Sequence, residues 1–359
     1  MNPTPDAPQA RPFEFTGNGG EYFRIWIVNL ALTLLTLGIY SAWAKVRRLQ
    51  YFYRNTSLAG SSFEYHGNPI AILKGRVIGI GLLVLYNATF AFNAGLGVLV
   101  LLILLGVFPW LIQRSICFKL HYSSYRGLRF RFKGSIKDAY VAFLAWPIAG
   151  YATMGLLFPM AHQRIKKYQH NNSAYGTAPF RFDAKEEDFY YIYLKMVGLL
   201  FLLLFLILIP IVVISVLAGS SGLFDGFDSK DPAQVNKMVG VIVILVMAFY
   251  LVFFMLVGPW FAARIQNLVW NHTALGPHAF SSAVRARDLF VIYLTNFIAI
   301  VLTLGLFKPF ADIRVARYRL THMALNAQSG LDEFFTQEQQ AVSALGEETA
   351  NVFDVDISF

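Results

Sequence analysis

Long apolar stretches separated by short basic and aromatic passages set the pattern of this chain. Six runs carry no Asp, Glu, Lys or Arg: Ile25 to Trp43, Val77 to Gln113, Ala139 to Ala161, Val197 to Phe224, Met238 to Ala263 and Leu289 to Phe307. At about 1.5 Å per helical residue, each can reach across or deep into a hydrocarbon layer of roughly 30 Å. None shows the alternation of a membrane β-strand. The pattern predicts an all-α polytopic membrane protein, with short interfacial amphipathic helices after the spans.

The polar passages share a register. Aligned on Ala42-Trp43, Pro109-Trp110, Pro159-Met160, Pro259-Trp260 and Pro309-Phe310, they place an arginine five residues on in every case: Arg47, Arg114, Arg164, Arg264 and Arg314. Nine residues on come Tyr51, Phe118, Tyr168, Leu268 and Tyr318, and a Gly then precedes a Phe in most copies. That Phe opens the next unit, as in FEFTG at Phe13, FEYHG at Phe63 and FRFKG at Phe130. The chain is thus read as a five-module internal repeat, with modules starting at 13, 63, 130, 180 and 280.

In each module a span is expected to pass through a Pro-started turn into an interfacial helix, since Pro is tolerated where its missing N–H would be unpaired. Trp43, Arg47, Tyr51, Asn55 and Leu58 share one helical stripe. The Gly is read as a left-handed helix stop, and the FxF after it as a short extended piece. Turns are expected at Asn93-Ala94-Gly95 and in GSSGLFDGFDSKDP, where DPAQ looks like a helix start.

Counting one crossing for each short module and two for each long one gives about seven hydrophobic helices and an inverted repeat, a common plan of secondary transporters. The competing plan makes the short modules re-entrant or interfacial. All five basic motifs then share the cytoplasmic side, and Asp225, Asp228 and Asp231 lie outside. Span length favours the first plan and charge the second.

Composition agrees with a membrane class: 56% of the 359 residues are hydrophobic and 14% charged, and the mean hydropathy is +0.51. The first apolar run is followed by Lys45, Arg47 and Arg48 without a small-residue cleavage site, so it is read as a retained span. Cys117 is the single cysteine, which excludes an intrachain disulfide. The net charge of +9 hides an acidic end: residues 327–359 hold seven Asp and Glu and no Lys or Arg. Three regions are expected: a disordered N-terminus at 1–12, a repeated membrane domain at 13–326 and an acidic cytoplasmic tail at 327–359.

No nucleotide loop, metal motif, nucleophile elbow or paired-carboxylate signature is present, so neither an enzyme, a cofactor nor a metal site is expected. The five arginines are candidates for lipid or anion contact, against the alternative that they snorkel or cap helix carbonyls. Trp43, Trp110 and Trp260 are candidate interfacial anchors. Asn29 and Asn296, thirteen residues before their Ala or Pro, are polar groups within apolar runs and mark possible helix breaks, as do Trp146-Pro147 and Gly150 in the third module. The basic, aromatic HYSSYRGLRFRFKGSIKD reads as an anionic-phospholipid contact and not as a nucleic-acid site, since it lies between two spans.

The stretch GNGGEYFRIWIVNLALTLLTLGIYSAWAKVRRLQYFYRNTSLAGSSFEYHGNPIAILKGR resembles the YjgN family of bacterial inner-membrane proteins, a family defined by a domain of unknown function. The likeness extends over nearly the whole chain, through the acidic end ALGEETANVFDVDISF. Ala42 stands where that family commonly has Pro. The resemblance implies a multi-pass helical protein of the inner membrane and brings no activity, substrate or catalytic residue. Two functions are carried forward: transport or gating of a small solute or ion, and anionic-lipid binding or scaffolding. Motifs on opposite sides of the membrane favour the first, and motifs sharing one side favour the second.

Overall fold

The computed structural model describes residues 9–220, 231–328 and 330–349. It joins ten short strands into one closed antiparallel barrel from which pairs of helices project. In chain order the elements are β1 (Gln9–Phe15), α1 (Gly19–Leu35), α2 (Ser41–Arg54), β2 (Thr56–Leu58), β3 (Ser61–Tyr65), α3 (Pro69–Phe92), α4 (Ala94–His121), β4 (Ser123–Tyr125) and β5 (Leu128–Phe132). Then come α5 (Ile136–Tyr140), a π-helical turn (Val141–Ala145), α6 (Trp146–Ala152), α7 (Phe158–Asn171), β6 (Ser173–Tyr175), β7 (Ala178–Phe182) and α8 (Glu186–Ser220). The chain continues through α9 (Pro232–Asn271), β8 (Thr273–Leu275), β9 (His278–Ser282), α10 (Ala286–Leu302), α11 (Lys308–Thr321), β10 (Met323–Ala327) and α12 (Leu331–Thr349).

The strand register overturns the all-α expectation and the inverted repeat with it. Phe15 pairs with Thr56, Tyr65 with Ser123, Phe132 with Ser173, Phe182 with Thr273 and Ser282 with Met323. Each of these residues adjoins a helix, so all five helix pairs leave the same rim of the barrel. The hairpin turns lie at the other rim. A closed barrel cannot place its members on opposite sides of a membrane. The glycines read as helix stops sit in these turns instead: Ala59-Gly60 and Arg126-Gly127 both have φ near +50° and then above +70°, as a two-residue hairpin of primed type requires.

Among the described residues, four helices, not seven, are long and apolar enough to cross a membrane: Pro69–Phe92, Ala94–His121, Glu186–Leu206 within α8, and Pro232–Asn271. The short modules turn back instead. Their first helices run unbroken through Asn29 and Asn296 and stop at Thr36, Thr153 and Thr303, whose hydroxyls donate to Leu32, Ala149 and Ala299 carbonyls at 2.7–2.8 Å. Leu37, Met154 and Leu304 then take φ near +50°, and Gly38, Gly155 and Gly305 take φ of 92–97°. Glycine carries that conformation at little steric cost. The long modules have Leu105 and Met255 in place of that glycine, and their helices continue. Leu37, Met154 and Leu304 are 94–99% exposed, so each short pair ends in a bare apolar tip. Asn93 caps α4 through Leu96 N–H at 3.1 Å, and Asp231 caps α9 through Ala233 N–H at 2.9 Å. Asp225 and Asp228 lie outside the described residues, as do 1–8 and 350–359.

Two layers fill the barrel. The Phe that opens each module points inward, and Phe13, Phe63, Phe130, Phe180 and Phe280 form a closed ring with neighbouring centroids 6.1–6.5 Å apart. Neighbouring planes differ by only 15–30°, so the rings lie nearly flat across the axis, edge to edge. Their cross-strand partners Leu58, Tyr125, Tyr175, Leu275 and Leu325 make a second layer. Within it the Tyr125 hydroxyl donates to Leu58 O at 2.5 Å and the Tyr175 hydroxyl to Tyr125 O at 3.1 Å.

The acidic end closes the rim away from the helix pairs. Leu331 and Phe335 of α12 join the barrel core, and Glu338 Oε2 accepts from Thr177 N–H and hydroxyl at 2.7 Å and from Ala178 N–H at 3.0 Å. Arg126 pairs with Asp332 at 2.6 Å and lies 4.7 Å from the Phe335 ring centroid. At the N-terminal end, Gln9 to Pro12 pair with Ala327 to Ala324.

Candidate functional site

Beneath the phenylalanine ring, on the side of the helix pairs, lies a cavity of about 730 Å³. Its roof includes Phe13, Phe63, Phe130 and Phe180, and its walls come from α2, α4, α7, α9 and α11. Most of the wall is apolar: Phe52, Ile116, Leu120, Trp270, Ala316 and Leu320. Set among these are Lys119, Gln169, His170, Gln266 and Arg319.

The register explains how those side chains converge. Ser or Thr follows four of the five helices, with Thr56, Ser123, Ser173 and Thr273 donating to carbonyls four residues back at 2.8, 2.7, 2.6 and 2.7 Å. That bond satisfies a terminal carbonyl as the chain turns into a strand. The helix face next to it therefore points at the barrel axis. Phe52, Lys119, Gln169 and Arg319 occupy the same place on their helices, ten residues after the aligned Ala or Pro.

The cavity's electrostatics are one-sided. Arg319 donates from Nε to Oε1 of Gln266, which holds the guanidinium without neutralising it. Among the described residues no carboxylate lines the cavity. Burial pushes the His170 imidazole down to about 4, with Lys166 adding to the effect, so it is neutral at pH 7. Burial also lowers the Lys166 ammonium, and the field of Arg319 lowers it further. Cations crowded in an apolar, carboxylate-free hollow favour an anion.

The five aligned arginines are not brought together, and none lines this cavity. Arg47 lies over Tyr40 at 5.7 Å and Arg114 over Trp110 at 5.8 Å. Arg164 pairs with Glu186 at 2.6 Å and lies over Trp146 at 5.6 Å. Arg314 donates to Asn296 Oδ1 at 2.6 Å and Thr295 Oγ1 at 3.0 Å, and Arg264 is exposed. Asn296 is thereby a buried link between α10 and α11, whereas the Oδ1 of Asn29 is buried without a partner. Trp43 stacks on Tyr40 at 6.0 Å, and Trp260 is half-buried. The helix carrying Trp146-Pro147 is continuous, with a π-helical turn just before it, where proline's missing N–H is tolerated. The aligned tyrosines tie each short helix pair together at its base. Tyr51, Tyr168 and Tyr318 each bond the backbone at the start of their own pair, at Asn18, Ser135 and Arg285, over 2.8–3.3 Å.

A second cavity, of about 510 Å³, runs along α11 between α2, α9 and α10. It shares Phe52, Ala316 and Arg319 with the first.

Several known proteins are similar to this chain. Inner membrane protein YjgN of Salmonella typhimurium is 30% identical over 138 residues, 37% of this chain and 34% of that protein. YjgN of Escherichia coli O157:H7 is 31% identical over 153 residues, and that of Escherichia coli K12 is 30% identical over 150, each covering 41% of this chain and 37% of the relative. The chain thus spans little more than a third of the length of these curated relatives. No solved structure matches. The family model for bacterial proteins of unknown function (DUF898) matches residues 10–352, which takes in the barrel, its helix pairs and α12, and the chain belongs to that family, the family of YjgN.

Proposed function

We propose that the protein is a multi-pass inner-membrane protein that receives the anionic headgroup of a phospholipid in the cavity beneath its phenylalanine ring. The observation that carries this reading is the pair Arg319 and Lys119 in a largely apolar hollow lined by no carboxylate among the described residues. The pairs α3/α4 and α8/α9 cross the bilayer, and the three short pairs dip their apolar tips into it. The barrel stands on the cytoplasmic side, where the excess of Lys and Arg belongs. The role is one of binding and not of catalysis. A passage for small solutes along the barrel axis is not proposed, because two packed layers and α12 occupy that axis.

The test is retention of phosphatidylglycerol by the purified protein in nanodiscs of neutral phosphatidylcholine, read by native mass spectrometry. Arg319→Ala and Lys119→Ala are each expected to weaken retention about tenfold, the scale of one lost charge-assisted contact. Arg264→Ala, on the exposed flank, is expected to change nothing. Inorganic phosphate as competitor separates a lipid from a free anion: displacement of phosphatidylglycerol by millimolar phosphate contradicts the lipid assignment. Equal retention by the wild type and both chamber variants contradicts the site.

A further inference from the structure

The second cavity lies against the first, and its walls differ from side to side. From α9 and α10 come Met255, Phe297 and Ile300, an apolar wall. Facing them, α11 presents Lys308, Asp312 and Arg319 at helical spacing, with Arg48 of α2 beside them. Asp312 is held from two directions, by Lys308 and by Arg48 at 3.5 Å, and its side chain is only 17% exposed. One carboxylate here accompanies three cations. Arg319 and Ala316 belong to both cavities, Arg319 at the end nearest the barrel and Lys308 at the start of α11, next to the turn of the helix pair.

A groove with an ionic rail on one wall and an apolar face on the other matches the two halves of an anionic phospholipid, the headgroup following the cations and the acyl chains following Met255, Phe297 and Ile300. Resting on the headgroup reading above, we infer that the crevice along α11 is the lateral route by which such a lipid reaches the chamber. Asp312 keeps the place of the headgroup while the route is empty, holding Lys308 and Arg48 together until a phosphate takes over those contacts. Ala316 lines both cavities, and its small side chain leaves room where they meet, so a bulky residue at that position closes the route.

The experiment uses the full chain in vesicles of phosphatidylcholine containing a fraction of phosphatidylglycerol with a photoreactive diazirine, placed on one acyl chain in one preparation and on the headgroup in a second, the adducts being mapped by mass spectrometry. In the wild type, adducts of the acyl probe are expected in the crevice, at Met255 or Ile300, and adducts of the headgroup probe in the chamber, at Trp270 or Leu320. Ala316→Trp is expected to abolish the chamber adducts and keep the crevice adducts. Ile300→Trp, at the end of the crevice away from the barrel, blocks the route at its mouth instead and gives an independent test should Ala316→Trp not fold, with chamber adducts lost and those at Met255 kept. Asp312→Asn is expected to increase crevice labelling, because it frees Lys308 and Arg48. Chamber adducts that persist in both tryptophan variants, or that form in the wild type without crevice adducts, overturn the route and leave the headgroup reading standing. Crevice adducts without any in the wild-type chamber overturn the headgroup reading itself. A photoreactive phosphatidylcholine that labels the chamber equally well overturns the assignment to an anionic lipid.

Discussion

The ring of Phe13, in the first strand, lies 6.4 Å from that of Phe280, in the ninth, with a 24° tilt between their planes. This contact joins the two ends of the phenylalanine layer, beside the seam where β1 meets β10. Removing either ring leaves a hole that four flat neighbours cannot close without leaving the axis. Phe280→Ala is expected to cost about 3–5 kcal/mol of stability. Denaturant or thermal unfolding of the purified protein measures it. A loss below about 1 kcal/mol, the level of a well-accommodated surface change, would mean that the layer is not a packed core.

Glu338 fixes α12 through three hydrogen bonds from Thr177 and Ala178, and charge-assisted bonds of this kind are the stronger ones. Glu338→Ala should loosen the helix by about 2 kcal/mol, since it also leaves two backbone N–H groups unpaired. Hydrogen exchange checks this: faster exchange is expected across Leu331 to Val342 and at Thr177 and Ala178, with the strands distant from this rim unchanged. Protection unaltered by the substitution would contradict the docking of α12.

The one-sided barrel makes a topological prediction. Single cysteines at Ser57, Ser61 and Ser281, in a Cys117→Ser background, should all react with a membrane-impermeant thiol reagent from the same side. Cysteines at Leu37, Met154 and Leu304 should resist it from either side, because the tips lie in lipid. Labelling of Leu37→Cys from the side opposite Ser57→Cys would turn the first helix pair into a full crossing.

His170 and His162 are both held down to about 4, burial being the larger cause and Lys166 the smaller. Each is neutral in the folded protein where the unfolded chain, with its ordinary value near 6.5, already binds a proton. Stability is therefore complete above about pH 6.5 and declines as the pH falls toward 4. The melting temperature should follow that course, and His170→Gln should flatten the decline. A decline as steep in His170→Gln as in the wild type would assign the acid sensitivity to other groups.

Much of the helical content was legible in the sequence, and the barrel was not, for a physical reason. Strands such as Thr56–Leu58 and Ser173–Tyr175 are three residues long, too short to display a period of two, and their pairing partners come from distant parts of the chain. Only FxF advertised an extended segment. The span count failed at Thr36-Leu37-Gly38 and its counterparts, where an apolar run hides a reversal behind a single glycine. A Gly four residues before Ala42, Pro159 and Pro309, and absent before Pro109 and Pro259, was the available signal. The chamber was hidden for the opposite reason. Uniformity drew attention to Arg47, Arg114, Arg164, Arg264 and Arg314, four of which meet groups on their own or the adjoining helix pair while Arg264 is exposed, whereas the chamber is lined from a register position that varies from Phe52 to Lys119, Gln169 and Arg319.

The most direct measurement is a structure of the protein extracted with its native lipids and held in a nanodisc. A phosphate-bearing headgroup is expected within hydrogen-bonding distance of the Arg319 guanidinium, beneath Phe13, Phe63, Phe130, Phe180 and Phe280. A chamber filled by water, or by protein side chains that close over Arg319 and Lys119, would contradict the headgroup site.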